Sequence, residues 1–407
     1  MTAGFMRASQ PVILVSISYY LPGYKAGGPI RSVANIVEQL GEAFDFRIVT
    51  ADRDLGDAQG YDGVSANAWT ACGKAQVFYR APGCRGWRAL RKGLKKTRFD
   101  LLYLNSFFSV DSTLRFLLYR RLGLIARGPV LLAPRGELSR GALALKSSKK
   151  RIFIALAKAF GLYRNVTFHA SSRYEAEDIK RVLGSASRVE VANNLTGHSA
   201  VPLSGQVSRG DGEPIRAIFL SRISPKKNLA GAIKILSKLR NVRLDLDVYG
   251  VLEDNVYWRQ CQAEIAHLPD NILIHYREAL HPDKVLATLS AYDFFFFPTL
   301  GENYGHVISE ALAAGLPVLI SDQTPWRDLK SKGVGADLPL DEPEAFRSWI
   351  RHFATLSPDE RQEGRRAAQA FSSVRQTAAD DLQANRALFY AAMGRPFDRN
   401  LIRSAQD

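Results

Sequence analysis

Cysteine is scarce in this chain. There are three in 407 residues, Cys72, Cys84 and Cys261, and none has metal-like or C-x-x-C spacing. That excludes a disulfide framework and a thiolate metal site, and fits reduced, structurally incidental thiols in the cytoplasm. Long hydrophobic runs are missing too. Val12–Leu21 is apolar and follows Arg7, as a signal-peptide core would, but it is far shorter than the roughly 20 residues a membrane span requires. Gly23, Gly27, Gly28 and Pro29 follow where a small-residue cleavage site would be expected, so Val12–Tyr20 reads as a first buried strand. That strand is not followed by G-x-G-x-x-G with an acid about 20 residues on, which argues against a nicotinamide oxidoreductase. No short repeat, low-complexity tract or nucleic-acid reader motif is recognisable. Negative charge is the last shortage: 40 Asp and Glu face 55 Lys and Arg, a formal net charge of +15. Such an excess favours an anionic partner, whether nucleic acid, an acidic membrane surface or a phosphorylated substrate.

What is present is alternation. Strand-like segments at Val12–Ser18, Phe46–Thr50, Ala75–Tyr79, Leu101–Asn105, Val130–Pro134, Val166–Ala170 and Arg188–Val191 are separated by helical patterns such as Ile30–Leu40, Arg88–Lys96, Ser112–Leu122, Lys149–Phe160 and Tyr174–Leu183. This is the rhythm of a doubly wound parallel sheet with helices on both faces. Gly197–Pro214, rich in Gly, Ser and Pro, breaks it and reads as a linker. Alternation restarts with Ile215–Leu220, a helix near Leu229–Leu239, Leu244–Tyr249, Tyr257–His267, Ile272–His275 and Pro282–Ser290. The expected organisation is an N-terminal Rossmann-like domain over 1–196, a linker over 197–214, a second Rossmann-like domain over 215–375, and a helical segment over 376–407 that packs back on the first domain.

The most informative stretch runs from Phe294 to Trp326. An apolar strand leads into a turn bearing Glu302, Asn303, Tyr304, Gly305 and His306, then a helix bearing Glu310, then Gly315-Leu316-Pro317 and another apolar strand. Gly305 lets a ligand approach the backbone, and the first amides of the helix, near Val307–Glu310, point toward an anion. Glu302 suits sugar hydroxyls, and Glu310, two turns on, a ribose diol. The plain alternative is a capped helix with two exposed glutamates. At the start of the second domain, IRAIFLSRISPKKNL places Arg222 and Lys227 around a turn and Asn228 where it can cap a helix. Two cations at a strand-to-helix turn suit a diphosphate, against the plain alternative of a solvated basic loop.

Together these residues resemble a family 4 glycosyltransferase of the two-domain GT-B fold, of the kind that builds bacterial exopolysaccharide or lipopolysaccharide. The resemblance is carried by Glu302 and Glu310, with seven residues between them, then Ala311, Ala314, Gly315 and Pro317, by LSRISPKKN with Arg222 and Lys227, and by the Gly-rich loop Gly23–Pro29. LLAPRGELSRGALALKSSKK in the first domain adds to it. It implies two Rossmann-like domains facing a cleft, and transfer of a sugar with retention from a nucleotide-sugar, a UDP-sugar before GDP or ADP. The acceptor would be a glycan or a polyprenyl-diphosphate-linked chain, with no metal or cofactor. It further implies that Arg222 and Lys227 neutralise the leaving diphosphate, that Glu302 positions the donor sugar and Glu310 the ribose, and that Asn303, Tyr304, Gly305 and His306 contact the donor. Gly27 and Gly28 would approach its diphosphate from the other domain.

The chain departs from the family pattern at two positions where His is common: Arg135 after one first-domain strand and Asn105 after another. Arg cannot act as a general base, so Arg135 is expected to bind phosphate or acceptor, and His169 and His306 are candidate substitutes. Arg85–Arg98, with Trp87, Leu90 and Leu94 at helical spacing, and the cluster Lys146–Arg151 suit an anionic membrane, placing the protein peripherally on its cytoplasmic face. Trp69, Trp258 and Trp326 read as packing. A nucleotide-sugar 2-epimerase of the same architecture and a basic nucleic-acid-binding protein are the alternatives.

Overall fold

The computed structural model describes residues 10–95, 97–144, 147–197, 213–376 and 379–397. They divide into two compact units, one running up to Leu195 and taking in the residues from Ala379 on, the other spanning Thr196–Ala378. The expected linker, 197–214, falls almost wholly outside the described residues, as does Lys146.

In the first unit, β1 (Val12–Ser16), β2 (Asp45–Ala51), β3 (Trp69–Cys72), β4 (Ala75–Arg80), β5 (Leu101–Asn105), β6 (Val130–Ala133), β7 (Val166–Ala170) and β8 (Arg188–Val191) form one sheet in the order β3-β4-β2-β1-β5-β6-β7-β8. All pairs are parallel except β3 with β4. That hairpin is absent from the sequence expectation. The crossovers carry α1 (Gly28–Leu40), α2 (Gly83–Lys95), α3 (Arg115–Arg121), α4 (Arg140–Ala144), α5 (Ser147–Ala159) and α6 (Arg173–Leu183). Successive residues of β1 enter opposite cores: Ile13 and Val15 join α1's Val33 and Ile36, while Leu14 joins α2's Leu90 and Leu94. Burial on both faces is why this strand is apolar throughout rather than alternating.

The second unit holds β9 (Ile215–Leu220), β10 (Leu244–Tyr249), β11 (Ile272–Arg277), β12 (Phe294–Phe297), β13 (Val318–Ser321) and β14 (Gly335–Leu338), all parallel, in the order β11-β10-β9-β12-β13-β14. Its helices are α7 (Leu229–Leu236), α8 (Asn255–Ile265), α9 (Pro282–Ser290), α10 (His306–Ala313), α11 (Pro343–Thr355) and α12 (Pro358–Gln376). The four phenylalanines of β12 alternate by the strand's period of two. Phe294 and Phe296 meet Trp349, Phe353 and Phe346 of α11, while Phe297 meets Phe219 of β9.

The last helix, α13 (Ala379–Ala392), belongs to the first unit. Its Phe389 is fully buried against Phe44, Phe46 and Tyr103, and Asn385 Nδ2 donates to Asn193 O at 2.8 Å.

Candidate active site

In the second sheet β10 and β11 lie to one side of β9, and β12, β13 and β14 to the other. The strand order therefore reverses between β9 and β12. Loops at the C-terminal ends of two such strands diverge and leave a crevice, the usual ligand position in open parallel sheets. Lys227 follows β9 and Glu302 follows β12, and the fold brings them together: Lys227 Nζ forms an ion pair with Glu302 Oε1. Both side chains are largely buried. Thr299 Oγ1 lies 3.3 Å from the same carboxylate oxygen, and the ammonium sits 5.6 Å over the Phe297 ring.

Backbone bonds fix the two loops to each other. Leu300 N donates to Lys226 O at 3.0 Å, and Glu302 N ties the second loop to the one after β13 by donating to Gln323 O at 3.0 Å. Asn228 does not cap α7 with its side chain. It adopts a left-handed backbone (φ 59°), and its Nδ2 donates to Pro298 O at 2.7 Å, clamping one loop to the other. Arg222 is engaged elsewhere, with Nη1 donating to Glu253 Oε1 at 2.8 Å.

The Gly305 turn is built for a close approach. Gly305 has φ 79°, and a Cβ there would lie 2.8 Å from Ile308 Cδ1. The buried Trp326 donates its indole N–H to Tyr304 O at 2.6 Å, so its packing shapes the turn. Tyr304 and His306 rings lie 4.8 Å apart. The expected anion-facing amides are fewer than the sequence suggested: Ile308 N and Ser309 N both donate to Gly305 O. Glu310 lies half-buried on α10. That helix ends with Gly315 (φ 70°), where Leu316 N bonds Ala311 O and Gly315 N bonds Leu312 O, the paired closure that a left-handed glycine permits.

In the first unit, Gly27 (φ 75°) opens α1 and is followed by Gly28. The loop before them is held by Asp54, which the sequence did not single out: its Oδ2 accepts from Tyr24 N at 2.7 Å and Lys25 N at 3.0 Å. Arg135 and Asn105 come together at the ends of β6 and β5. Arg135 has φ 56° and Gly136 φ 74°, a left-handed pair that is strained at Arg135 and held by Glu175 Oε1, which accepts from Gly136 N at 2.7 Å. The guanidinium donates to Asn105 Oδ1 at 3.1 and 2.7 Å, Asn194 Oδ1 at 2.7 Å and Tyr103 OH at 2.9 Å. These bonds engage four of its five N–H groups, leaving little of the fork for a phosphate.

His169 lies beneath this network, not in a site. The residue is 1% exposed, and Nε2 donates to Ala192 O at 2.9 Å. Nδ1 therefore accepts from Tyr103 OH at 2.8 Å. Burial, with the Arg135 charge nearby, pulls its pKa down to about 3, so it stays neutral and orients Tyr103. It cannot replace a catalytic histidine.

A cavity of about 340 Å³ opens at the ends of β1, β2 and β4, lined by Ser18, Thr50, Arg80, Asp111 and Ser112 among others. It lies on the β1 side of this sheet's own reversal, between β1 and β5, and Ser18 Oγ reaches Ser112 Oγ at 3.2 Å. Beside it, Trp87 carries the guanidiniums of Arg80 and Arg115, each 4.1 Å from the ring centroid. The apolar stripe of α2 thus faces inward, with Leu90 and Leu94 buried, rather than toward a membrane. Among the described residues no helix is long and apolar enough to cross one.

The family model "Glycosyl transferases group 1" matches residues 205–369, and "Glycosyl transferase 4-like domain" matches 27–194. No curated protein sequence matches. Among solved structures, sucrose-phosphate synthase from Thermosynechococcus elongatus superposes with TM-score 0.64 at 16% identity, covering 94% of this chain and 100% of that one. Anabaena HepE, solved with UDP and glucose, gives 0.63 at 16% identity, with 94% and 100% covered. WaaG, a glycosyltransferase involved in lipopolysaccharide biosynthesis, gives 0.61 at 14% identity, again with 94% and 100% covered.

Proposed function

The chain belongs to the family 4 glycosyltransferases of the GT-B fold, and we propose that it transfers a sugar with retention from a UDP-sugar to a glycan or lipid-linked acceptor of a cell-surface polysaccharide. The observation that carries this is the Lys227–Glu302 pair at the point where the second sheet reverses. A cation and a carboxylate meet there on two loops, one suited to a diphosphate and the other to sugar hydroxyls. UDP and glucose bound to HepE support the choice of donor.

In this reading the donor's diphosphate draws Lys227 from Glu302, and Glu302 then accepts hydrogen bonds from the sugar. Arg222, freed from Glu253, adds a second cation. Charge develops on the leaving phosphate oxygen, where a fixed ammonium stabilises the transition state most. The bond from the anomeric carbon to that oxygen breaks as the acceptor oxygen attacks the same face. The acceptor's proton passes to the leaving phosphate, so no protein nucleophile is needed. No metal is required, because the protein's own cations meet the diphosphate. Glu310 holds the ribose diol. The acceptor belongs to the first unit, where the polar cavity beside Ser18 and Arg80 suits sugar hydroxyls, and the net charge of +15 supports work at an anionic membrane face.

The test is a thermal-shift titration with UDP, GDP, ADP and their sugar conjugates, with and without EDTA. A ligand that binds the native state raises the melting temperature by mass action. Stabilisation by uridine nucleotides, unchanged by EDTA, is expected. Stabilisation by oligonucleotides alone would replace this reading with nucleic-acid binding.

A further inference from the structure

Helices α3 and α5 present an apolar surface that the fold does not use. On α5, Ile152 and Leu156 recur every fourth residue and continue to Phe160 just past its end; on α3, Leu118 and Leu122 do the same. All five are between 51% and 71% exposed. The ends of the two helices adjoin, since Arg121 Nη1 donates to Phe160 O at 3.3 Å. Packing does not require the stripe. The adjacent side of α5 already faces the core through Phe153, which meets Phe107 and Phe108, and through the buried Ala157. A helix solvated on its outer side ordinarily carries polar residues there.

The stretch that carries the stripe is strongly basic. Between Asp111 and Glu175 there are thirteen Lys and Arg and a single carboxylate, Glu137. Glu137 is turned inward: its carboxylate accepts from Ser106 Oγ and from the amides of Phe107 and Phe108. The exposed groups flanking the stripe include Arg121, Lys149, Arg151, Lys158 and Arg164. Aliphatic and aromatic side chains in a line, bordered by exposed cations, match the interface of an anionic bilayer, which takes the apolar groups into its acyl boundary and the cations among its headgroups. Nucleic acid would have no use for the aliphatic stripe. Helix α2 is also basic, but its Leu90 and Leu94 are buried, so it offers charge without anything to insert.

We propose that α3 and α5 form the face by which this protein docks on an anionic lipid surface, a proposal that rests on the reading of the protein as working at a membrane. The test is co-sedimentation of the full chain with vesicles of phosphatidylcholine alone or mixed with phosphatidylglycerol, at low and high salt. Three variants are compared with wild type: Ile152→Ser/Leu156→Ser/Phe160→Ser, Lys149→Gln/Arg151→Gln/Lys158→Gln, and Arg88→Gln/Arg91→Gln/Lys92→Gln on α2. UDP binding and the melting temperature of each are measured in parallel. The expected result is wild-type binding to anionic vesicles only, weakened by at least about tenfold in both α5 variants and much less in the α2 variant. UDP binding should not change. Equal binding by wild type and both α5 variants, or loss confined to the α2 variant, overturns the proposal. So does a wild-type dimer that binds no vesicle and becomes monomeric in the serine variant, which would make the face a contact between copies. Vesicle binding without UDP binding would sink the donor reading while leaving the docking face standing.

Discussion

Lys227 and Glu302, 75 residues apart in the chain, form an ion pair that joins the loop after β9 to the loop after β12. With both groups largely buried, each depends on the other, and removal of one leaves an uncompensated charge. Lys227→Ala should cost on the order of 3 kcal/mol of stability, and Lys227→Ala/Glu302→Gln clearly less. Denaturant unfolding of the four members of the cycle measures this. Sugar transfer should fall by about 100-fold or more in either single variant, and the double variant should not recover it, since both groups also serve the donor.

Gly305→Ala should destabilise the Glu302 turn without touching a charge. The left-handed backbone and the 2.8 Å approach to Ile308 Cδ1 together cost about 1–3 kcal/mol. Gly305→Ala/Ile308→Val should recover the steric share alone. Thermal melts, with and without UDP, separate loss of fold from loss of donor affinity.

His169 predicts a pH dependence. Its pKa is near 3 when folded against 6.5 for the free side chain, so the unfolded chain takes up a proton that the native state refuses. This group's contribution to stability is present above pH 6.5 and is lost as pH falls from 6.5 toward 3. Between those values wild-type stability should drop by up to about 1.4 kcal/mol per pH unit on its account. In His169→Gln that part of the slope should vanish, which urea unfolding at a series of pH values reads directly.

Much of this was legible in the sequence because the parallel strands are buried on both faces and so appear as continuous apolar runs. The two strands that were not foreseen have physical reasons. β3 is a four-residue antiparallel edge beside the Gly73 turn. β14 begins at Gly335, where a Cβ would lie 1.9 Å from Val318 O; the sheet demands glycine there, yet glycine in a sequence reads as a strand breaker. Local pattern also hid long-range partners. Asn228 looked like a helix cap and instead bonds Pro298. Thr299, Asp54 and Asn194 carry no motif of their own, and Arg222 gave no hint that Glu253 would meet it. His169 at a strand end resembled a site residue because burial cannot be read from one position.

Arg135 is committed to Asn105, Asn194 and Tyr103, which makes its shape matter as much as its charge. Arg135→Lys keeps the charge but cannot span three oxygens. It should therefore lose nearly as much stability as Arg135→Ala, about 1–3 kcal/mol, with transfer lowered and UDP affinity unchanged. A large drop in UDP affinity with stability intact would mean that Arg135 binds the donor phosphate instead.

The most direct measurement is calorimetric titration of UDP and of uridine into the wild-type protein and Lys227→Ala. If the diphosphate sits at the reversal point of the second sheet, wild type binds UDP far more tightly than uridine, and Lys227→Ala weakens UDP by about tenfold or more while leaving uridine unchanged. Equal UDP affinity in the two proteins would contradict the assignment of Lys227, and with it the site.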